Sequence, residues 1–187
     1  TESVAIEVPI AQEPRAGDFD RTLTITTGNE SVTRDLTVDF GSIQSGVDAA
    51  TPGETVRVAP TDYRESVTVQ TPNITIAASG ADLTPRFSTG VEIRQSGVSV
   101  VGLNIDGNGA ATGITTVDDQ TTLDGVTITD TQTAVVLDGS TGATIRRTDI
   151  SGARRGVLVA DAQDATLRVS DIREVQTGIE VDSDDLT

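Results

Sequence analysis

The chain has 187 residues, with 29 acidic and 13 basic side chains, a formal net charge of −16 and no His or Cys. All basic residues are Arg, and no basic stripe with interleaved aromatic residues is present to bind phosphates. This composition disfavours nucleic acid as a partner. No apolar run of about 18 residues occurs, so the sequence predicts no membrane-spanning helix.

The charge balance favours a protein that works in concentrated salt. A net charge of this size makes a domain repel itself at low ionic strength, whereas in 1 M salt the Debye length is only about 3 Å. The absence of Lys and the small apolar residues agree with an extremely halophilic source, and an ordinary acidic surface is the alternative. Because the chain begins at Thr1, we expect a removed signal peptide or an excised segment.

Residues 1–40 are predicted to form a β-rich extension. The first apolar residues alternate strictly with polar or small ones: Val4, Ile6, Val8 and Ile10. This alternation indicates a strand over 3–10, and a polar linker broken by Pro and Gly separates it from the rest of the extension. The following region, 20–40, is predicted to form a hairpin that turns at Gly28-Asn29.

A short capping helix is predicted over 42–50. Apolar residues at i, i+4 and i+7 (Ile43, Val47 and Ala50) form one helical face, and Ser42 is placed to act as the N-cap. We expect this helix to cover the first coil of the repeat that follows, hiding its apolar cross-section and open strand edges.

Residues 41–187 contain a repeat with a period of about 22 residues. Four apolar positions recur in three consecutive copies: Leu123, Ile145 and Leu167; Ile128, Ile150 and Ile172; Val135, Val157 and Ile179; Leu137, Val159 and Val181. A small residue precedes the third position each time, and looser copies lie upstream: Ala134, Gly156 and Gly178, then Gly90-Val91 and Gly113-Ile114. Apolar residues alternate within each copy, which is strand periodicity. The period predicts an all-β, right-handed parallel β-helix.

Two other repeat architectures fit the sequence less well. A leucine-rich repeat shares the period but needs a dense ladder of Leu and a recurring Asn or Cys, whereas Val and Ile dominate here. A β-propeller blade needs about 40 residues and aromatic signatures. Neither pattern is present, which leaves the β-helix.

The start of the repeat region resembles a known family. Residues 43–67 contain the runs Ile43-Gln44, Val47-Asp48-Ala49-Ala50, Pro52-Gly53-Glu54-Thr55-Val56 and Ala59-Pro60-Thr61-Asp62-Tyr63-Arg64-Glu65-Ser66-Val67. They are similar to the opening of parallel β-helix repeat proteins of the NosD type, within the pectin-lyase-like superfamily, which occur in many haloarchaeal secreted sequences. Thr61-Asp62 departs from the usual Gly-x. The resemblance implies the fold and secretion, but not an activity, because the superfamily contains lyases, hydrolases, esterases, tailspikes and inert surface proteins.

None of the catalytic sets that this resemblance implies is complete. Hydrolases of the polygalacturonase type need a Gly-His-Gly beside clustered Asp residues, and Asp118-Asp119 has no His to join it. Lyases need a calcium cluster and an Arg base, for which Arg146-Arg147 and Arg154-Arg155 are candidates. We expect these Arg residues instead to pair with nearby acids, such as Asp149, Asp161, Asp164 and Asp171. The sequence therefore predicts a non-enzymatic protein.

Two kinds of binding or modification site are indicated weakly. Asp106 and Asn108 offer oxygens at i and i+2, each followed by Gly, as in calcium-binding turns. A full site needs six to eight oxygens, and a Gly-rich corner of the β-helix is the alternative. No other cofactor is predicted. Asn29 and Asn73 begin Asn-x-Ser/Thr sequons, which suit a secreted glycoprotein.

The predicted shape indicates a function in assembly. An uncapped last coil, with Ile179 and Val181, exposes backbone edges that recruit a further strand, and the strand over 3–10 is a natural donor. We therefore expect an extracellular structural or adhesive protein, a head-to-tail filament or surface-layer subunit. The alternatives are later coils of a longer secreted protein that cap the stack, and a polysaccharide-binding or polysaccharide-degrading protein.

Overall fold

A computed structural model describes residues 15–27, 30–39, 41–168 and 170–182. Its main feature is a solenoid of about six coils, each of about 22 residues. The first coil begins with β4 (Thr55–Val58). Before it come β1 (Arg15–Ala16), the paired strands β2 (Asp18–Thr27) and β3 (Glu30–Asp39), and the helix α1 (Ile43–Ala49). The predicted right-handed parallel β-helix is confirmed.

The remaining strands form the parallel sheets of the solenoid. One sheet contains β5 (Asp62–Arg64), β7 (Thr75–Thr84), β9 (Ser99–Asp106), β11 (Thr122–Asp124), β12 (Thr127–Thr129), β14 (Thr144–Arg146), β15 (Asp149–Ser151), β17 (Thr166–Arg168) and β18 (Asp171–Arg173), with β1 and β4. The other contains β6 (Val67–Val69), β8 (Thr89–Ile93), β10 (Thr112–Thr116), β13 (Thr133–Asp138), β16 (Arg155–Ala160) and β19 (Thr177–Asp182).

The strand registers confirm the predicted columns. Ile114 pairs with Val91 on one side and Val135 on the other, and Val157 then pairs with Ile179. The regular period holds downstream, since Thr122 pairs with Thr144 and Thr144 with Thr166. These inward columns bury Val, Ile and Leu at the centre of every inner coil, so one continuous apolar core runs along the solenoid axis.

The capping helix runs from Ile43 to Ala49, within the predicted 42–50. Ser42 is its N-cap, as predicted, because the Ser42 side chain accepts a hydrogen bond from the Ser45 N–H at 3.1 Å. Ile43 and Val47 are buried against the first coil. The helix thus covers the apolar cross-section at the N-terminal end of the solenoid.

Strands β2 and β3 form an antiparallel two-stranded sheet over the region predicted as a hairpin. Asp18 pairs with Asp39 at one end and Thr27 with Glu30 at the other. At the base, the Gly17 N–H donates to the Gly41 carbonyl at 2.8 Å, and the Arg15 guanidinium lies 5.1 Å from the centre of the Phe19 ring. The hairpin is therefore rooted beside the capping helix. The predicted donor strand over 3–10 lies outside the described residues.

Candidate functional site

The N-terminal end of the solenoid, which we call the head, is closed by side chains as well as by the helix. Glu65 accepts hydrogen bonds from the Ile43 and Gln44 N–H groups at 2.8 and 3.0 Å. The Gln44 amide accepts from the Thr68 N–H at 2.7 Å and donates to the Thr68 carbonyl at 3.1 Å, so it replaces a neighbouring strand at that edge. Strand β1 pairs with the outer edge of β4. The outer edges of β4 and β6 are therefore already paired at the head, while β5 pairs with β7 on one side.

The last described coil, which we call the tail, is open. Leu167, Ile179 and Val181 are 38, 51 and 66% exposed, although the residues of their columns in inner coils, such as Leu137, are almost fully buried. An apolar cavity opens here, and its lining includes residues of three successive coils: Leu137, Val159 and Val181. These residues form an exposed apolar surface at the tail, and self-association through Ile179 and Val181 stays a prediction. The donor side of that prediction, Val4, Ile6, Val8 and Ile10, lies outside the described residues.

A second surface is an open cleft beside the head, which sequence reasoning missed. Arg64 and Arg86 line both the cleft of about 650 Å³ beside the helix and its neighbour of about 540 Å³. Neither Arg makes an ion pair with another described residue, which is unusual beside so many acids. Phe87 lies in the same cleft and is 75% exposed.

The cleft arises from an irregularity in the repeat. Val67 pairs with Val91, whereas downstream Val135 pairs with Val157, and the first pair is farther apart along the sequence than the second. The extra residues lie in the corner between β7 and β8, which carries Arg86 and Phe87. A departure from the period was the signal in the sequence that would have identified this corner.

The predicted calcium ligands lie next to that cleft. Asp106 is the last residue of β9, and its carboxylate accepts a hydrogen bond from the Asn108 N–H at 3.1 Å. Both residues are exposed and both line the smaller cleft. Among the described residues, no three His, Cys, Asp or Glu side chains are grouped to hold a metal ion. The calcium site stays a prediction.

The sequons differ in what the structure describes. Asn73 is exposed in a turn with a positive φ of 57°, and its backbone N–H and carbonyl bond to Ser96 and Gly53 in adjacent turns. Asn29 lies outside the described residues. Glycosylation of either residue stays a prediction.

The acidic pair proposed for hydrolysis lies in a corner between coils. The Asp118 carboxylate accepts from the Asp119 N–H at 2.8 Å, and the Asp119 carboxylate accepts from the Thr141 N–H at 2.8 Å. Both carboxylates thus bond to backbone, and Asp119 ties one coil to the next. That arrangement agrees with a structural role at this corner.

The Arg pairs bind acids, but not the expected ones. Arg147 donates from Nε and Nη2 to the Asp124 carboxylate, and Arg146 donates to the same group at 3.0 Å. Arg155 bonds to Glu180 at 2.5 Å. The prediction of Asp149, Asp161, Asp164 and Asp171 as partners was wrong for these three Arg residues. Their acids are set by coil stacking, because Asp124 pairs in register with Arg146 of the next coil.

Asp124 is a buried carboxylate that forms ion pairs with Arg146 and Arg147. Its side chain is only 8% exposed, while Arg146 and Arg147 remain largely exposed. Hydrogen bonding from Arg147 lowers the pKa of Asp124 more than burial raises it, and the same bond raises the pKa of Arg147. The cluster therefore fastens two coils together while the carboxylate is ionised.

We expect acidic pH to weaken the ion pairs between Asp124 and the two Arg residues. Because folding lowers the pKa of Asp124, the ion pairs stabilise the protein above the unfolded pKa of about 3.9, and this stabilisation is lost as the pH falls through the folded pKa. Asp124→Asn should lower the free energy of unfolding at pH 7 and flatten its decline below about pH 4. Denaturant titrations across this range check it, with the exposed Asp138→Asn as control. Equal acid sensitivity in Asp124→Asn and wild type would contradict this role.

No helix among the described residues is long and apolar enough to cross a membrane. A family model described as a right-handed beta helix region matches residues 87–187, more than half of the chain. Neither curated proteins nor solved structures gave a significant match.

Proposed function

Because the chain belongs to the right-handed β-helix family, we propose that it is a non-enzymatic structural or adhesive protein of a halophile's cell surface that binds further copies of itself through its tail. The observation that carries the proposal is the exposed apolar cross-section formed by Leu167, Ile179 and Val181. Exposed apolar patches of this kind mark interaction surfaces. Among the described residues, the head is covered by the helix and the tail exposes apolar side chains, so these two surfaces differ. Contacts between unlike ends produce open chains of subunits rather than closed dimers.

The composition supports the proposed setting. A net charge of −16 without any Lys keeps subunits apart at low salt, and concentrated salt screens that repulsion while strengthening apolar contacts where the salt is excluded from the surface. We therefore propose secretion to a salty exterior, where the protein assembles. The ion pairs of Asp124 with Arg146 and Arg147, and of Arg155 with Glu180, join neighbouring coils, which suits a scaffold.

We expect the full chain to assemble in about 3 M salt and the variant Ile179→Asp/Val181→Asp to stay monomeric. Each new carboxylate would have to lose water at the contact without a partner, so assembly should weaken at least about 100-fold. Sedimentation velocity and electron microscopy measure this. Thr177→Asp adds a charge at an exposed position of the same strand and is the control. A wild-type protein that stays monomeric at high concentration would contradict the proposal.

A second candidate function is binding of an acidic polysaccharide at the cleft beside the head. Two Arg residues without ion pairs to other described residues and an exposed ring offer a carboxylate clamp and a stacking face, which together suit an acidic sugar. Phe87→Ala should weaken binding of a uronate polymer about tenfold, since it removes the ring but leaves both charges. Isothermal titration checks this, with Arg94→Gln as the control because Arg94 pairs with Glu92 at 2.9 Å. Equal binding by wild type and Phe87→Ala would exclude the cleft.

A further inference from the structure

We infer that the hairpin of one copy, β2 and β3, covers the tail of the next copy. This inference rests on the proposed self-association and names the element that makes the contact. It differs from the donor-strand prediction, because the hairpin and not the segment 3–10 is the partner of the tail.

The first support is the division of the hairpin into two sets of cross-strand pairs. Opposite residues in an antiparallel pair share one face, and successive pairs alternate between the two faces. One set contains only Asp, Thr and Ser: Asp18 with Asp39, Asp20 with Thr37, Thr22 with Asp35, Thr24 with Thr33, and Thr26 with Ser31. The other set holds the apolar residues: Phe19 with Val38, Arg21 with Leu36, Leu23 with Arg34, and Ile25 with Val32, with Thr27 and Glu30 at the turn.

Near the turn the apolar set is exposed, whereas Phe19 at the base of the hairpin is half-buried. Ile25 and Val32 face each other across the hairpin and are 41 and 50% exposed. On the other set, Thr24 and Thr33 are exposed and lie within hydrogen-bond distance of each other. An isolated two-stranded hairpin is only marginally stable in water, and a hydrophobic face needs a covering surface. We therefore expect a partner to cover the exposed apolar residues of the hairpin.

The second support is the closed head. Direct stacking of one copy's last coil on the next copy's first coil needs free edges on β4 and β6 at the head. Strand β1 already pairs with β4, and Gln44 of the capping helix already bonds to Thr68 of β6. The hairpin is rooted at the same end, at the hydrogen bond between Gly17 and Gly41. The hairpin therefore presents exposed apolar residues at the head, and the tail of a neighbouring copy can pack against them.

Size and charge agree with this pairing. Each hairpin strand has 10 residues, about 34 Å, which is longer than the six-residue β19 at the tail. At the tail, Arg155 neutralises Glu180 and Arg173 neutralises Asp171. Among the described residues of the last coil, four acids have no ion pair, against one such Arg, Arg168: Asp161, Asp164, Glu174 and Asp182. On the hairpin, Arg34 is exposed and belongs to the apolar set, so its positive charge suits the acidic tail.

The test uses two full-length variants that each lose one surface. Ile25→Asp/Val32→Asp damages the hairpin, and Ile179→Asp damages the tail. Each variant alone should be monomeric in about 3 M salt, because each lacks one half of the contact. Mixed at equal concentration they should form dimers and nothing larger, since one intact hairpin meets one intact tail. Sedimentation velocity distinguishes monomers, dimers and longer chains.

Controls separate the contact from folding of the hairpin. Thr24→Asp/Thr33→Asp places the same charges on the next pair, in the polar set, and should assemble like wild type. Ile25→Thr/Val32→Thr keeps β-branched residues and should still weaken assembly about tenfold or more. If both Thr24/Thr33 and Ile25/Val32 variants lost assembly equally, the apolar set would have no special role and the inference would fail.

The outcomes separate this inference from the proposed function. If Ile179→Asp abolishes assembly and the hairpin variant assembles normally, the tail binds something other than the hairpin, such as another tail, and only the inference is overturned. Two variants that remain monomeric after mixing would also overturn it. If the wild type never assembles, the proposed function fails as well.

Discussion

Ile114→Ala should lower the free energy of unfolding by about 3–5 kcal/mol, whereas Ile179→Ala should lower it by about 1 kcal/mol or less. The two residues occupy the same column of the solenoid in different coils, and the same atoms are removed from each. Ile114 is fully buried, so its truncation leaves a cavity between Val91 and Val135. Ile179 is 51% exposed, so water fills the space that its truncation leaves.

The comparison is best made on monomers, by denaturant titration at a protein concentration below that of assembly. The difference between the two variants reports burial alone, because their residue type, strand periodicity and column are matched. At concentrations where copies associate, Ile179→Ala should instead weaken assembly. A cost at Ile179 as large as that at Ile114 in monomers would mean that the last coil is covered within a single chain.

The sequence predicted the repeat well because stacked coils bury the same column in each turn. Ile128, Ile150 and Ile172 recur at a regular spacing because they pair with one another in three neighbouring strands. The sequence period is therefore the strand register. The capping helix could also be predicted from the sequence, because the N-cap at Ser42 and the apolar residues Ile43 and Val47 are local signals. Local periodicity and local capping require no knowledge of distant contacts.

The site residues were harder to predict because they depend on which coils are neighbours. The acid that binds Arg146 and Arg147 is Asp124, in the preceding coil, whereas proximity in sequence favoured other acids. The cleft at Arg86 and Phe87 lies where extra residues interrupt the regular period. A prediction based on the period alone does not detect such a position. The calcium, glycosylation and donor-strand predictions have not been tested.

Gly156→Ala should destabilise the protein by about 2–3 kcal/mol, while Gly178→Ala should be neutral or slightly stabilising in monomers. Both residues hold the small position of the repeat, in adjacent coils. A Cβ at Gly156 would overlap the Gly178 carbonyl oxygen and lie 2.8 Å from the Ile172 Cγ2, and backbone cannot move aside cheaply. A Cβ at Gly178 would meet nothing within 4 Å. Denaturant titration of the two variants measures the difference, and equal costs would contradict close stacking of the coils.

The same pair also reports how the tail is covered when copies associate. If a strand of the next copy lies on β19 in the register of another coil, its carbonyl would take the place that the Gly178 carbonyl takes above Gly156, and Gly178→Ala would weaken assembly sharply. If the hairpin lies across the tail without that register, Gly178→Ala would assemble like wild type. The stability of the monomer and the assembly of Gly178→Ala therefore answer separate questions: the first concerns the spacing of coils, and the second the geometry of the contact between copies.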